Sequence, residues 1–238
     1  MIKLRANMPH YQRSRRRLSR GQSMVEVALT FPVLLLILAG AIEIGMYYNT
    51  YLNLMDATRE GARYSVNGSP IDQDAAVTYV CEDTKDFFKK TACLTRQNLD
   101  LSMPGRFDPT HDDILVSLLL FKNGQIVGRY DAANWVPGQN GWSWCESMAV
   151  NYDHVGGCNR ATTRFPNSVL QGRLDEFISD QSVAPTDIPK AAYVLVEVYH
   201  IHHQFLGLIP PNLPFLPQEV VMHAYAIMPV PAAASAEY

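Results

Sequence analysis

No charged residue occurs between Val27 and Ile42, and no acidic residue occurs before Glu26. The first absence excludes an ordinary water-exposed helix there. The apolar character continues past Glu43 through Gly45, Met46, Tyr47 and Tyr48, so it reaches the ~20 residues needed to span a ~30 Å hydrocarbon layer. The second absence leaves Lys3, Arg5, Arg13, Arg15, Arg16, Arg17 and Arg20 unopposed, while all 23 acids lie beyond them, so the net charge of −3 conceals a basic head on an acidic body. A basic segment that runs directly into an apolar one argues for a membrane rather than nucleic acid as partner. The chain also has no nucleophile elbow, Walker loop or HExxH sequence, which leaves those routes to catalysis without residues. No CxxC spacing accompanies the cysteines, which argues against structural zinc.

What is present then organises itself around one span. Cations on the near side place the N-terminus in the cytoplasm and residues 49–238 outside, with Tyr47, Tyr48 and Tyr51 as an interfacial aromatic belt. No second apolar stretch is long enough to cross. The expected layout is a basic cytoplasmic leader (1–21), a long helix (22–66, membrane-spanning over 27–48), an extracytoplasmic head (67–230) and a tail (231–238). The four cysteines, Cys81, Cys93, Cys145 and Cys158, all fall on the outer side, where an even count reads as two disulfides with three connectivities open.

The helix should begin near Gln22 or Ser23, since Ser23 and Glu26 have the spacing of a capping box. Beyond Tyr48 the helical period continues as Leu52, Met55, Thr58, Ala62 and Val66, and Asn67-Gly68-Ser69-Pro70 supplies a stop. Asp72 to Lys90 reads as a second helix, and a Cys81–Cys93 pair would require it to break near Thr91, because twelve helical residues separate their ends by ~18 Å. Residues 112–121 read as a strand, and Asn123-Gly124 as a hairpin turn into Ile126–Tyr130. Residues 131–165, with Trp135, Trp142 and Trp144, read as a long loop, and Asn167–Ile178 as a short helix. Alternation over 191–203 puts Val194, Val196 and Val198 on one strand face and Tyr193, Leu195 and Glu197 on the other. A connection through Pro210, Pro211, Pro214 and Pro217 leads to a last strand over 219–228. The fold class is α+β: a long N-terminal transmembrane helix extending into a small head with a mostly antiparallel sheet of about four strands.

Glu26 stands where lipid begins. An acid there is a functional candidate, and it also has two local uses, as a helix cap or as a side chain reaching the headgroups. Glu43 lies ~25 Å further along the helix, near the outer interface. Ala41 and Gly45 form a small-xxx-small pair that lets helices approach, and Pro32 removes a hydrogen bond to the Ala28 carbonyl. His200 and His202 share a strand face, with His203 and His223 near, but no acid or cysteine stands at a third ligand position. No cofactor is implied.

The stretch from "RGQSMVEVALTFP" through "AIEIG" (41–45) to "ATREGARY" (57–64) resembles the TadE-like family of tight-adherence (Flp) pilus proteins. The resemblance implies a non-enzymatic pseudopilin or minor pilin in the cytoplasmic membrane. Its partners would be other pilin or pseudopilin subunits, pilus assembly proteins and a prepilin peptidase. It implies a cut between Gly21 and Gln22, after which Glu26 is the fifth residue of the mature chain. That cut removes every leader cation, and the Glu26 carboxylate can then meet the N-terminal amine of its own or a neighbouring subunit, setting the axial register. Val27 follows Glu26 where major Flp pilins carry Tyr. Two export rivals have residues of their own. "SRRRLSR" (14–20) loosely matches a twin-arginine signal, and "AGA" (39–41) has the small-x-small form of a signal-peptidase site. Either would give an anchored or secreted binding module that recognises a ligand through the tryptophan-rich loop.

Overall fold

A computed structural model describes residues 18–68, 86–102, 107–108, 110–130, 140–145, 160–181, 184, 186, 190–204 and 219–231, with side chains from Ser23 onward in the first helix and up to Leu99 in the second. The expected helix start at Asp72, Trp135, Cys81, Cys158 and the connection through Pro210–Pro217 lie outside these residues.

The first helix, α1 (Leu18–Val66), is one uninterrupted element of 49 residues that carries Pro32 inside it. It starts ahead of Gln22, so in the uncleaved chain Ser23 is helix interior and does not act as the N-cap: an interior residue has no orphan donors to cap. The helix has two environments. From Met24 to Ile44 its large apolar side chains are exposed. From Thr50 onward one stripe is buried, formed by Thr50, Leu54, Ala57, Thr58, Gly61, Ala62 and Ser65. This stripe is rotated from the expected one: Leu52 is 55% exposed while Leu54 is fully buried. Apart from Leu54, the side chains of the buried stripe are small. Their hydroxyls are satisfied within the helix, Thr50 donating to the Met46 carbonyl, Thr58 to Met55 and Ser65 to Gly61, so burying them strands no donor.

Helix α2 (Phe87–Ser102) lies against that stripe. Asp86 caps it, its carboxylate accepting from the Lys89 amide at 3.0 Å. The helix passes straight through Thr91 without the expected break. Thr91 is instead a contact residue, its hydroxyl 2.7 Å from that of Ser65. A Cβ on Gly61 would overlap the Thr95 hydroxyl, so the absent side chain sets how closely the two helices approach. Gly61→Val should force them apart and cost about 1–3 kcal/mol, read as a lowered midpoint in thermal unfolding of the detergent-solubilised chain, with a smaller loss for Gly61→Ala.

The sheet contains β1 (Asp113–Lys122), β2 (Gln125–Tyr130), β3 (Trp142–Ser143), β4 (Ala191–His203) and β5 (Glu219–Pro229). The order is β2-β1-β4-β5, with β3 pairing β1 beyond the end of β2, and all pairs are antiparallel. Asn123 and Gly124 both have positive φ, 52° and 73°, as a two-residue turn of the I′ kind requires. The sheet thus gains one short strand over the expected four. β3 comes from within the expected loop, where two residues are too few to leave a periodic signal.

One sheet face packs on α1 and α2 through Ile114, Val116, Leu118, Val194, Val196, Val198, Met222 and Ala224. Each such buried side chain stabilises the fold by roughly 1.5–3 kcal/mol. The opposite face is covered by residues 160–166, with Leu119, Leu195 and Phe165 as a small second core. Helix α3 (Asn167–Gln181) is tied to the hairpin by Gln171, which accepts from the Ile126 amide and donates to the Gly124 carbonyl.

Candidate functional site: the anchor helix and its seat on the head

The expected processing residues, Gly21 and Gln22, have helical backbone within α1. Glu26 is exposed, and its backbone carbonyl accepts the Thr30 hydroxyl at 2.9 Å. Among the described residues no hydrogen bond or ion pair reaches the Glu26 carboxylate. A Cβ built on Gly40 or Gly45 would meet nothing within 4 Å, so the Ala41–Gly45 side of the helix is open to a neighbour.

The belt of tyrosines is divided by the head. Tyr47 and Tyr51 pack against the main core, and only Tyr48 stays well exposed, at 61%. Tyr47 stands edge-on to His202 with ring centroids 5.6 Å apart. Glu43, one turn earlier, is half-buried. The head therefore meets α1 lower than the expected span end at Tyr48. Above this junction, "ATREGARY" is explained residue by residue. Ala57, Thr58, Gly61 and Ala62 face inward, while Arg59, Glu60, Arg63 and Tyr64 face outward. The Arg59–Asp56 and Arg63–Glu60 pairs, at 3.8 and 3.9 Å, are solvent-exposed and contribute little.

The second sheet face holds a group of buried charged and polar side chains. Asp113 is fully buried, and its carboxylate accepts from the amides of Ile114, Cys145 and Ala161 and from the Ser143 hydroxyl. Burial pushes its pKa above the usual carboxylate range despite those four donors. Glu197 is also fully buried. Burial pushes it up, but His223, the hydroxyls of Thr163 and Tyr199, and the Arg164 amide together hold its pKa below the ordinary value. The Arg129 guanidinium lies 3.9 Å from Glu197 and donates to Ser117, Thr163 and the Phe165 carbonyl. Burial and the charge of Glu197 raise the Tyr199 phenol. These groups fasten β3 with its flanking residues, and the segment 160–166, onto β1 and β4. The signal was Glu197 standing among valines in an otherwise apolar strand.

Trp142 and Trp144 are buried in the main core, 8% and 2% exposed, with the Arg96 guanidinium over the Trp144 ring. They present no recognition surface. The histidines disperse: His200 bonds Asp112 at 2.9 Å, His203 faces Glu219, and His223 points to the other sheet face and Glu197. Among the described residues no cluster of three or more metal-ligating side chains forms. Cys93 and Cys145 are both disulfide-bonded.

Among the described residues one helix is long and apolar enough, by length and composition, to cross a membrane. The fold is therefore of the helix-anchored class, an α+β head seated on the distal half of a long N-terminal helix. Residues 21–63 match a family model described as TadE-like protein, a structural family associated with the tight-adherence pilus. No curated protein and no solved structure matches the chain.

Proposed function

We propose that the chain is a pseudopilin- or minor-pilin-like component of a tight-adherence (Flp, type IV) pilus or of its assembly machinery. It acts without turnover, as a single-pass protein of the cytoplasmic membrane with its N-terminus inside and its head outside. The observation that carries this reading is the coincidence of the TadE-like match over residues 21–63 with a helix exposed and apolar below Ile44 and seated on a folded head above it. The apolar half is left for lipid and for neighbouring subunits. The small-residue half orients the head on its own helix.

A prepilin peptidase is the proposed processing enzyme, cutting between Gly21 and Gln22. Peptidases act on extended chain, so the helical turn around Gly21 must open, and glycine, the weakest helix former after proline, lowers that cost. The new amine, four residues from Glu26, lies close to the carboxylate. In the head we propose the pairings Cys145–Cys158 and Cys81–Cys93.

The test is the mass and N-terminal sequence of the native protein from membranes or sheared filaments. A chain starting at Gln22 is expected, and Gly21→Glu should leave the leader attached. A chain starting at Ile42 would establish a soluble secreted module instead. An intact leader in assembled filaments would remove the processing model.

A further inference from the structure

At the outer end of the exposed apolar stretch, α1 meets the head at a histidine. The Nε2 atom of His202 is shut off from solvent with no hydrogen-bond partner, and the ring stands edge-on to Tyr47. Glu43 lies one turn below Tyr47, ~6 Å along the same helix face, half-buried and within range for its charge to act on His202.

The other charged groups around the ring are few. On β4, His200 shares its face and is bonded to Asp112, and His203 lies on the exposed side against Glu219 of β5. The residue opposite His202 on β5 is Val220, which is uncharged, and His223 faces away toward Glu197. Burial first, then His200 and His203, disfavour an imidazolium here, and Glu43 alone favours it, so the pKa of His202 falls below its ordinary 6.5.

We propose that His202 is a proton-dependent latch between the anchor helix and the head. Neutral His202 packs against Tyr47 and holds the lower end of the sheet on α1. A protonated ring must find water or Glu43 for its charge, which means leaving the edge-on contact and releasing that end of the sheet. Because the folded pKa is lowered, the contribution of the neutral ring is fully present above pH 6.5 and is lost as pH falls through the folded value. The latch does not depend on the pilus role. It needs only that the helix be anchored and the head exposed to an environment whose pH varies.

The experiment uses the full chain in nanodiscs of zwitterionic lipid. Amide hydrogen exchange, corrected for the intrinsic pH dependence of the rate, is followed in residues 44–51 and 200–204 between pH 7.5 and 5. In the wild type, protection there should drop at least about tenfold on acidification, while that of Val194–Val198 is retained. His202→Phe keeps an aromatic ring but cannot protonate, so it should hold its protection at every pH. Glu43→Gln removes the acid that favours the imidazolium and should move the transition to lower pH. If His202→Phe does not fold, that shift still decides the matter. Equal pH profiles in the wild type and His202→Phe, an unmoved midpoint in Glu43→Gln, or no change with pH in the wild type would each overturn the latch.

Discussion

Arg129→Ala is expected to be the most damaging single change in the head, costing about 3–5 kcal/mol, because it breaks a buried charge pair and leaves Glu197 without its cation. Arg129 and Glu197 have fully buried side chains, so no solvent screens the loss. The guanidinium also donates to Ser117, Thr163 and the Phe165 carbonyl, and those buried bonds would be lost with it. A domain has only ~5–15 kcal/mol in hand, so the variant should lose a large share of its stability. Urea unfolding followed by circular dichroism measures the effect. The partner acid has a pH signature. The folded pKa of Glu197 lies below its unfolded value of 4.5, so the stability it contributes is present above pH 4.5 and is lost as pH falls through the folded value. Glu197→Gln should therefore flatten the acid limb of the stability curve, whereas an unchanged limb would mean other carboxylates govern acid unfolding.

The second large effect concerns assembly. Glu26→Gln should leave insertion, processing and head folding unchanged while recovery of filament or assembly complex collapses. In lipid an unpartnered acid costs ~2.5–3.5 kcal/mol or more, and a neighbour's N-terminal amine, met only in the assembled bundle, removes much of that cost. The capping alternative is weakened by the helix beginning at Leu18, although cleavage after Gly21 would return Glu26 to the first turn, where its charge also favours the helix dipole. The Gln variant separates the two. It retains hydrogen-bonding capacity and loses only the charge, so normal assembly at equal membrane levels would defeat charge pairing.

Sequence reading and structure part company at recognisable places. Strands β1, β4 and β5, the Asn123-Gly124 turn and helix α3 were legible because each carries a local signal: alternation, a dipeptide that accepts positive φ, or a period near 3.6. The expected alternation of Val194, Val196 and Val198 against Leu195 and Glu197 is the one found. The break near Thr91 was required only if Cys81 and Cys93 shared one helix and paired, and α2 begins at Phe87, beyond position 81, so it runs through Thr91 intact. In the buried stripe of α1 Thr58 and Ala62 were placed correctly, but Leu52 was chosen where Leu54 is buried, because two leucines in one helix are told apart only by where the head packs. Asp113, Arg129 and Thr163 carried no sequence signal at all. Their roles depend on partners far along the chain, 48 residues away in the Ala161–Asp113 bond and further still in the Arg129–Glu197 pair.

The sequence by itself determined the long apolar helix that fits a membrane anchor, since an uncharged run of that length preceded by arginines lies most cheaply in lipid, and it determined the α+β class of the head. Tertiary structure alone decided where the head rests on that anchor. It turned Trp142 and Trp144 into core, and it assembled Asp113, Arg129, Glu197 and His223 into a fastening beneath the sheet. The physical reason is range. Transfer into lipid and strand or helix period are properties of neighbouring residues, whereas the satisfaction of a buried charge depends on which distant groups the fold brings within hydrogen-bonding distance.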